Sequence, residues 1–292
     1  MPKAFKTIGG NMDSDKFELA HDTILRAKEI VTNAQAVIIT AGAGMGVDSG
    51  LPDFRGDLGF WKAYPPLKDK NLSFTEVANP QWFFSSPELA WAFYGHRLKL
   101  YNKTTPHEGF ALIKNLCEAK NGNYFIYTSN VDGHFEKAGF DKDKIYEIHG
   151  SIHHAQCIHN DDGNIWNMDE NSVEVDEEKF VATKIPVCPE CGCVSRPNIL
   201  MFYDHEFNHK RAWAQRKKYD AWLSHNMNSR IVIIEIGAGL AVPTIRIFGE
   251  RMAKRFKRAH LIRINPVDTH VSAYRGMAIK AGGLEGLRML LG

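Results

Sequence analysis

Residues 36–56 read AVIITAGAGMGVDSGLPDFRG. The opening run, Ala36–Thr40, is apolar and β-branched almost throughout, the pattern of a strand buried on both faces of a parallel sheet. It breaks directly into Gly42-Ala43-Gly44. Glycines after a buried strand let backbone N–H groups approach a pyrophosphate, and a helix starting there adds its dipole. The dinucleotide fingerprint Gly-x-Gly-x-x-Gly is not met, because Val47 occupies the third site. Nor does an acidic residue close a second strand about 20 residues further on, as the fingerprint requires. An ordinary dehydrogenase is therefore not expected, and Gly-Ala-Gly alone serves equally well as a tight turn.

Outward from this stretch, residues 15–33 read as an amphipathic helix. Tyr124–Thr128, Lys144–Ile148, Ile231–Ile236 and Leu261–Ile264 are further candidate strands, with helical patterns over Gly109–Ala119 and Pro243–Arg258. Alternation of this kind predicts an α/β fold: a Rossmann-like parallel sheet with helices on both faces. Residues 57–102, rich in aromatics and short helical stretches, and residues 151–195, which hold most of the cysteines, break the alternation. Both are expected to be insertions that form a small lobe. The division is then 1–56, 103–150 and 196–292 for the large domain, and 57–102 and 151–195 for the lobe. The acidic run Asp169–Lys179 reads as a solvated loop.

The chain has 292 residues, 44% of them hydrophobic, and a formal net charge of +2. That balance supplies no global field for nucleic acid or an anionic membrane. The basic run Arg251–Arg258 reads as one solvated helix face. No apolar stretch is long enough for a membrane span, and the first twenty residues lack the apolar centre of a signal peptide. A cytoplasmic location is the expectation. Of the five cysteines, Cys117 lies in a helical pattern, whereas Cys157, Cys188, Cys191 and Cys193 cluster in sequence. In a reducing compartment such a cluster points to metal before disulfide.

Five other strings stand out. Thr128-Ser129-Asn130-Val131-Asp132 places polar groups where a parallel sheet presents them to ligand, although Asn-x-Asp also suits a turn. Glu147-Ile148-His149-Gly150 puts at a strand end a histidine, which titrates near neutrality and can take a proton from a hydroxyl. Arg196-Pro197-Asn198-Ile199-Leu200-Met201-Phe202-Tyr203-Asp204 follows the cysteines. Ile236-Gly237-Ala238-Gly239-Leu240-Ala241-Val242-Pro243 closes a strand with small residues, and Ile264-Asn265-Pro266 closes the next.

In this order, and with Ser49-Gly50-Leu51-Pro52-Asp53-Phe54-Arg55 after the glycine loop, the strings resemble the sirtuin family of NAD-dependent protein deacylases, as a divergent, bacterial-like branch. The resemblance spans residues 41–265. It implies that Gly42, Ala43, Gly44, Asp53, Phe54, Arg55, Ser129, Asn130, Asp132, Gly237, Ala238, Gly239 and Asn265 bind NAD. It makes His149 the general base, with Asn130 at the nicotinamide ribose. It lays an acyl-lysine peptide as an added strand along the segment of Ile199 and Phe202. It gives a zinc site to Cys157, Cys188 and Cys191, with Cys193, His159 or Asp161 as a possible fourth ligand, or none. Phe60, Trp61 and Tyr64 are expected in a segment that closes over the cofactor. Tyr94 and Arg97, in Phe93-Tyr94-Gly95-His96-Arg97, resemble the pair with which one sirtuin class takes succinyl or malonyl groups.

The departures are specific. Gly46 stands where many members have Ser, Ser129 replaces Gln, and Ala238 and Gly239 replace two hydroxyl residues. Tyr203-Asp204 replaces Gly-Glu, and a Tyr there is expected to narrow the peptide cleft. Protein ADP-ribosyl transfer or NAD hydrolysis is the alternative within the same cofactor chemistry, and a non-catalytic NAD-sensing protein the alternative outside it.

Overall fold

The computed structural model describes residues 12–52, 56–69, 71–159, 163–271 and 275–292. From the amino end run α1 (Met12–Asn33), β1 (Ala36–Ala41), and the helices α2 (Gly56–Ala63), α3 (Pro65–Asp69), α4 (Phe74–Val77), α5 (Trp82–Ser85) and α6 (Pro87–Lys103). There follow α7 (Glu108–Ala119), β2 (Tyr124–Thr128), α8 (His134–Lys137), β3 (Ile145–Glu147), β4 (Gly150–Cys157), β5 (Trp166–Asn167), β6 (Glu174–Asp176), β7 (Val181–Lys184) and β8 (Ser195–Ile199). The chain ends with α9 (Lys210–His225), β9 (Ile231–Ile236), α10 (Thr244–Arg255), β10 (Ala259–Ile264), β11 (Gly276–Ile279) and α11 (Gly283–Leu291).

Six strands form one parallel sheet in the order β11-β10-β9-β1-β2-β3. The two-residue period of a strand divides its side chains between the faces. Val37 and Ile39 join a core with Val31 of α1, Phe110 and Ile113 of α7 and Leu287 and Leu290 of α11. Ile38, with Ile231 and Ile233 of β9, packs on the other face against Tyr219 and Leu223 of α9 and Met252 of α10. Each such buried Val, Ile or Leu side chain stabilises the fold by roughly 1.5–3 kcal/mol. The helices-on-both-faces architecture read from the sequence is the one found. The basic run behaves as expected: Met252, Ala253 and Phe256 are buried while Arg251, Lys254, Arg255, Lys257 and Arg258 are exposed.

β1 has β9 on one side and β2 on the other, so the strand order reverses there. In open α/β sheets the crevice outside the carboxyl ends at such a switch point takes the ligand. The small lobe sits above that crevice. Its core is aromatic: Phe60, Tyr64, Phe83, Trp91, Phe93 and Tyr94 pack with Ile152 of β4 and Ile199 of β8. The indole of Trp91 donates to the Ser195 carbonyl at 2.9 Å, tying α6 to β8. The acidic run is not the free loop its composition suggests. It contains β6, paired with β7, and Val173 is buried in the lobe core. Of the rings expected in a segment that closes over the cofactor, Phe60 and Tyr64 are buried in that core, and Trp61 donates to the Leu72 carbonyl at 2.8 Å. In this conformation the three rings anchor the lobe.

Candidate active site

The carboxyl ends of β1, β2 and β9 meet in a cleft of about 440 Å³ between the sheet and the small lobe. Its floor is two glycine loops locked together. Gly42 N–H donates to the Ile236 carbonyl at 3.0 Å, and Gly44 N–H to the Gly237 carbonyl at 3.0 Å. A Cβ on Gly42 would lie 2.8 Å from the Gly237 oxygen. Gly237 has φ +63°, and a Cβ there would overlap the backbone of Gly44 and Met45. The glycines are required first for this mutual approach. That corrects the simplest reading of the first loop, since its two glycine amides are spent on the second loop and Ala43, exposed, is left facing the cleft. No α-helix starts at the loop to add its dipole there: two single-turn 3-10 segments, Ala43–Met45 and Val47–Ser49, follow instead. An α-helix N-terminus does reach the cleft, but from the other loop, where Val242 and Ile245 lead into α10.

The end of β2 is held by its own side chains. Thr128 Oγ1 donates to the Ala41 carbonyl and accepts from Asn130 N–H, both at 3.0 Å. Asn130 Nδ2 then donates to the Gly42 carbonyl at 3.0 Å, which ties β2 to the glycine floor. Asp132 accepts the His134 amide at 2.9 Å, starting α8, and keeps its side chain on the cleft wall. Ser129 and His149 line the same wall. His149 follows β3, and its carbonyl accepts from Leu200 N–H at 2.9 Å, which joins the histidine to the segment after β8. Burial lowers the His149 pKa, opposed in part by the Ser129 backbone. The ring is therefore kept neutral at pH 7, the state in which it can accept a proton.

β3 is an edge strand, and α9 completes it. Gln215 Oε1 accepts from Glu147 N–H at 3.0 Å, and Arg211 forms an ion pair with the Glu147 carboxylate. Burial raises the Glu147 pKa and the Arg211 charge opposes it. Nothing in the composition of α9 pointed to this support for the histidine strand.

On the lobe side, Tyr94, Arg97, Ile199 and Phe202 all face the cleft. Arg97 donates through Nε at 3.0 Å and Nη2 at 2.5 Å to the Tyr101 hydroxyl, and Tyr101 also lines the cavity. Tyr101 is thus a cleft residue the sequence reading did not name; its i+4 spacing from Arg97 on α6 was the available signal. Phe202 N–H donates to the Ala78 carbonyl at 2.9 Å.

Tyr203 overturns one expectation. It is 82% exposed and is not among the residues lining the cleft, so it does not narrow it. Asp204 explains its position. Its carboxylate pairs with Arg196 and accepts from Met201 N–H at 3.1 Å, which closes the turn from inside. Asn265 is fully buried; Nδ2 donates to the Ala238 carbonyl at 2.9 Å and Oδ1 accepts from Val267 and Asp268. It shapes the second glycine loop from beneath, and is not on the cleft wall. Gly239 and Ala238 are on the wall. Asp53, Phe54 and Arg55 lie outside the described residues.

The thiols of Cys157, Cys188 and Cys191 lie within 4.8 Å of one another, with Cys157 and Cys191 Sγ 3.6 Å apart. Sulfurs about 3.8 Å apart are what tetrahedral zinc with Zn–S near 2.3 Å demands, so the cluster fits zinc. Cys193 stands beside Cys191 but outside this three-sulfur set.

The architecture is that of an α/β protein with a ligand cleft at the switch point of a parallel sheet and a small lobe over it. The Sir2 family model matches residues 42–273, and the chain belongs to that family. The NAD-dependent protein deacylase of Aquifex aeolicus is 26% identical over 257 residues, 86% of this chain and 92% of its own. The NAD-dependent protein deacylase 1 of Caldanaerobacter subterraneus subsp. tengcongensis is 33% identical over 176 residues, 60% of this chain and 64% of its own. Among solved structures, a Sir2 homolog–NAD complex superimposes with a TM-score of 0.67 at 20% identity, covering 91% of each chain. A Sir2 protein bound to a propionylated peptide gives 0.64 at 18% identity, covering 89% of this chain and 93% of its own. Among the described residues no helix is long and apolar enough to cross a membrane.

Proposed function

We propose that this chain is an NAD-dependent protein-lysine deacylase. The observation that carries the reading is the convergence of both glycine loops, Asn130, Asp132, His149 and the Ile199–Phe202 segment on one cleft. The Gly42–Gly44 and Gly237–Gly239 loops would hold the dinucleotide, and the N-terminal end of α10 on the cleft wall would suit its phosphates. Asn130 and Asp132 hold the ribose and carboxamide of its nicotinamide half. NAD, when bound, would supply the ribose carbon from which nicotinamide departs and to which the acyl oxygen adds. His149 takes the proton of a ribose hydroxyl onto its ring, and the Glu147–Arg211–Gln215 set holds its strand end in place. An extended peptide would lie against the wall formed by Ile199–Phe202, whose Leu200, Met201 and Phe202 amides are already bonded within the molecule, so that the acyl-lysine points to His149. Cys157, Cys188 and Cys191, with a fourth donor, hold a zinc ion that fixes the lobe.

Arg97 favours an acidic acyl group, because a buried guanidinium on the cavity wall matches a succinyl or malonyl carboxylate. The hydroxyl that Arg97 bonds is that of Tyr101, and Tyr94 presents its ring to the guanidinium at 6.0 Å. Mass spectrometry of the products from NAD and a panel of acyl-lysine peptides tests the reading. Acyl-ADP-ribose with free lysine is expected. Free ADP-ribose alone, or ADP-ribosylated protein, overturns it.

A further inference from the structure

Two aromatic residues adopt left-handed backbone angles: Phe180 at φ +49° and Tyr203 at φ +58°. For a bulky side chain this conformation is disfavoured, and it persists where something compensates. Phe180 has its compensation inside the molecule. Its ring is 6% exposed and lies 6.0 Å from that of Tyr64 in the lobe core. Tyr203 has none of this kind: 82% exposed, it makes no ring contact or side-chain hydrogen bond among the described residues. Its turn does not need a tyrosine, because the buried Arg196–Asp204 pair and the Met201–Asp204 bond already define it. Glycine would occupy the site without strain.

We infer that Tyr203 is a specificity-determining residue, whose ring takes a cationic side chain next to the acyl-lysine of the acceptor peptide. Its neighbour Phe202 lines the cleft, so exposed Tyr203 lies one residue beyond that wall, on the outward course of a peptide that follows the Ile199–Phe202 segment. A rigid, exposed aromatic face attracts a lysine or arginine side chain. The surroundings add negative charge. Exposed Glu206 lies three residues on, and exposed Glu76 sits on α4, whose Phe74 ring packs 5.9 Å from that of Phe202. The inference rests on the deacylase reading.

The test is steady-state kinetics with one acyl-lysine peptide carrying Arg, Gly or Asp at the flanking positions, and with a minimal acyl-lysine amide that has no flanks. Wild type is expected to favour the Arg-flanked peptide over the Gly-flanked one by about fivefold in kcat/KM. Tyr203→Gly is expected to fold, to bring that ratio near one, and to leave turnover of the minimal amide and NAD binding unchanged. Tyr203→Phe retains the preference. A wild type without flank preference, or a preference that survives in Tyr203→Gly, overturns the inference while leaving deacylation standing. Failure of wild type to deacylate any substrate overturns both.

Discussion

The two lobes are held together by different physics. The large lobe is an aliphatic sandwich in which strand backbones fix every position and Val37, Ile38 and Ile39 fill both faces of β1. The small lobe gathers its core from widely separated stretches of chain around aromatic rings, a buried ion pair and a cluster of three thiols. The first is specified by local periodicity. The second depends on contacts that no local window contains. The cleft lies between them, so one wall is as rigid as the sheet and the other only as rigid as its aromatic packing and its thiol cluster.

The largest test of this contrast is at the junction. His149→Ala is expected to lower deacylation by about 10²–10⁴-fold, the usual worth of a general base. NAD binding, read by calorimetry, should survive because the glycine floor is untouched. In wild type the rate should rise with pH through an apparent pKa below the ordinary histidine value, since burial holds that of His149 down. A profile with no ascending limb below pH 6.5, the unperturbed value, argues against its role as base.

Next comes the rigid wall. Gly237→Ala forces a side chain into the Gly44 backbone at positive φ, and should weaken NAD binding by more than about tenfold through displaced loops, with strain and overlap costing about 2–4 kcal/mol. A variant that binds NAD normally would show that the floor is softer than its packing implies. The soft wall has its own test. Removing zinc with a chelator should abolish peptide turnover and shift the near-ultraviolet signal of Trp91 and its neighbours. The far-ultraviolet signal of the sheet should change little, and concerted loss of both signals would make the lobes one unit.

Smaller effects follow from the edge strand. Arg211→Met leaves Glu147 buried without its charge partner. We expect kcat to fall by about tenfold with little change in KM for NAD, as for misplacement of a catalytic group. The smallest effect concerns His154 on β4, whose pKa burial pushes down to about 3. Its folded pKa lies below the unfolded one, so the unfolded chain takes up the proton first. Stability is present above about pH 6.5 and is lost as pH falls toward 3. His154→Leu should flatten that part of a urea-denaturation pH series. The side chain is only partly shielded from solvent, so a modest slope is expected.

The same contrast governs what was legible in the sequence. β1, β2 and β9 were readable because strands buried on both faces are continuous apolar runs. The cleft walls at Asn130 and His149 were readable because they close such strands. α9 was not: its buried residues, Ala212, Tyr219 and Leu223, are scattered among lysines and arginines. Without α9 the support for Glu147 was invisible too. β11, with three half-buried residues and only Ile279 buried, and the short strand inside the acidic run carry no period of their own. Tyr203 was misplaced because a residue's direction depends on turn geometry, and Asp204 fixes that geometry from within. Asn265 lies on the matched motif, yet its work is done against backbone.

The glycine floor has a consequence for how this cleft can change. A methyl group on Gly42 would meet the backbone of Gly237 and Ala238, and one on Gly237 would meet the backbone of Gly44 and Met45, so each loop is blocked by main chain that no side-chain change removes. Neither position can therefore be varied first and repaired by the other, and a library randomising both returns to glycine twice. Adaptation to a larger acyl chain, by evolution or by design, is channelled to the opposite wall, where the rings of α6 and the residues after β8 can be exchanged one at a time.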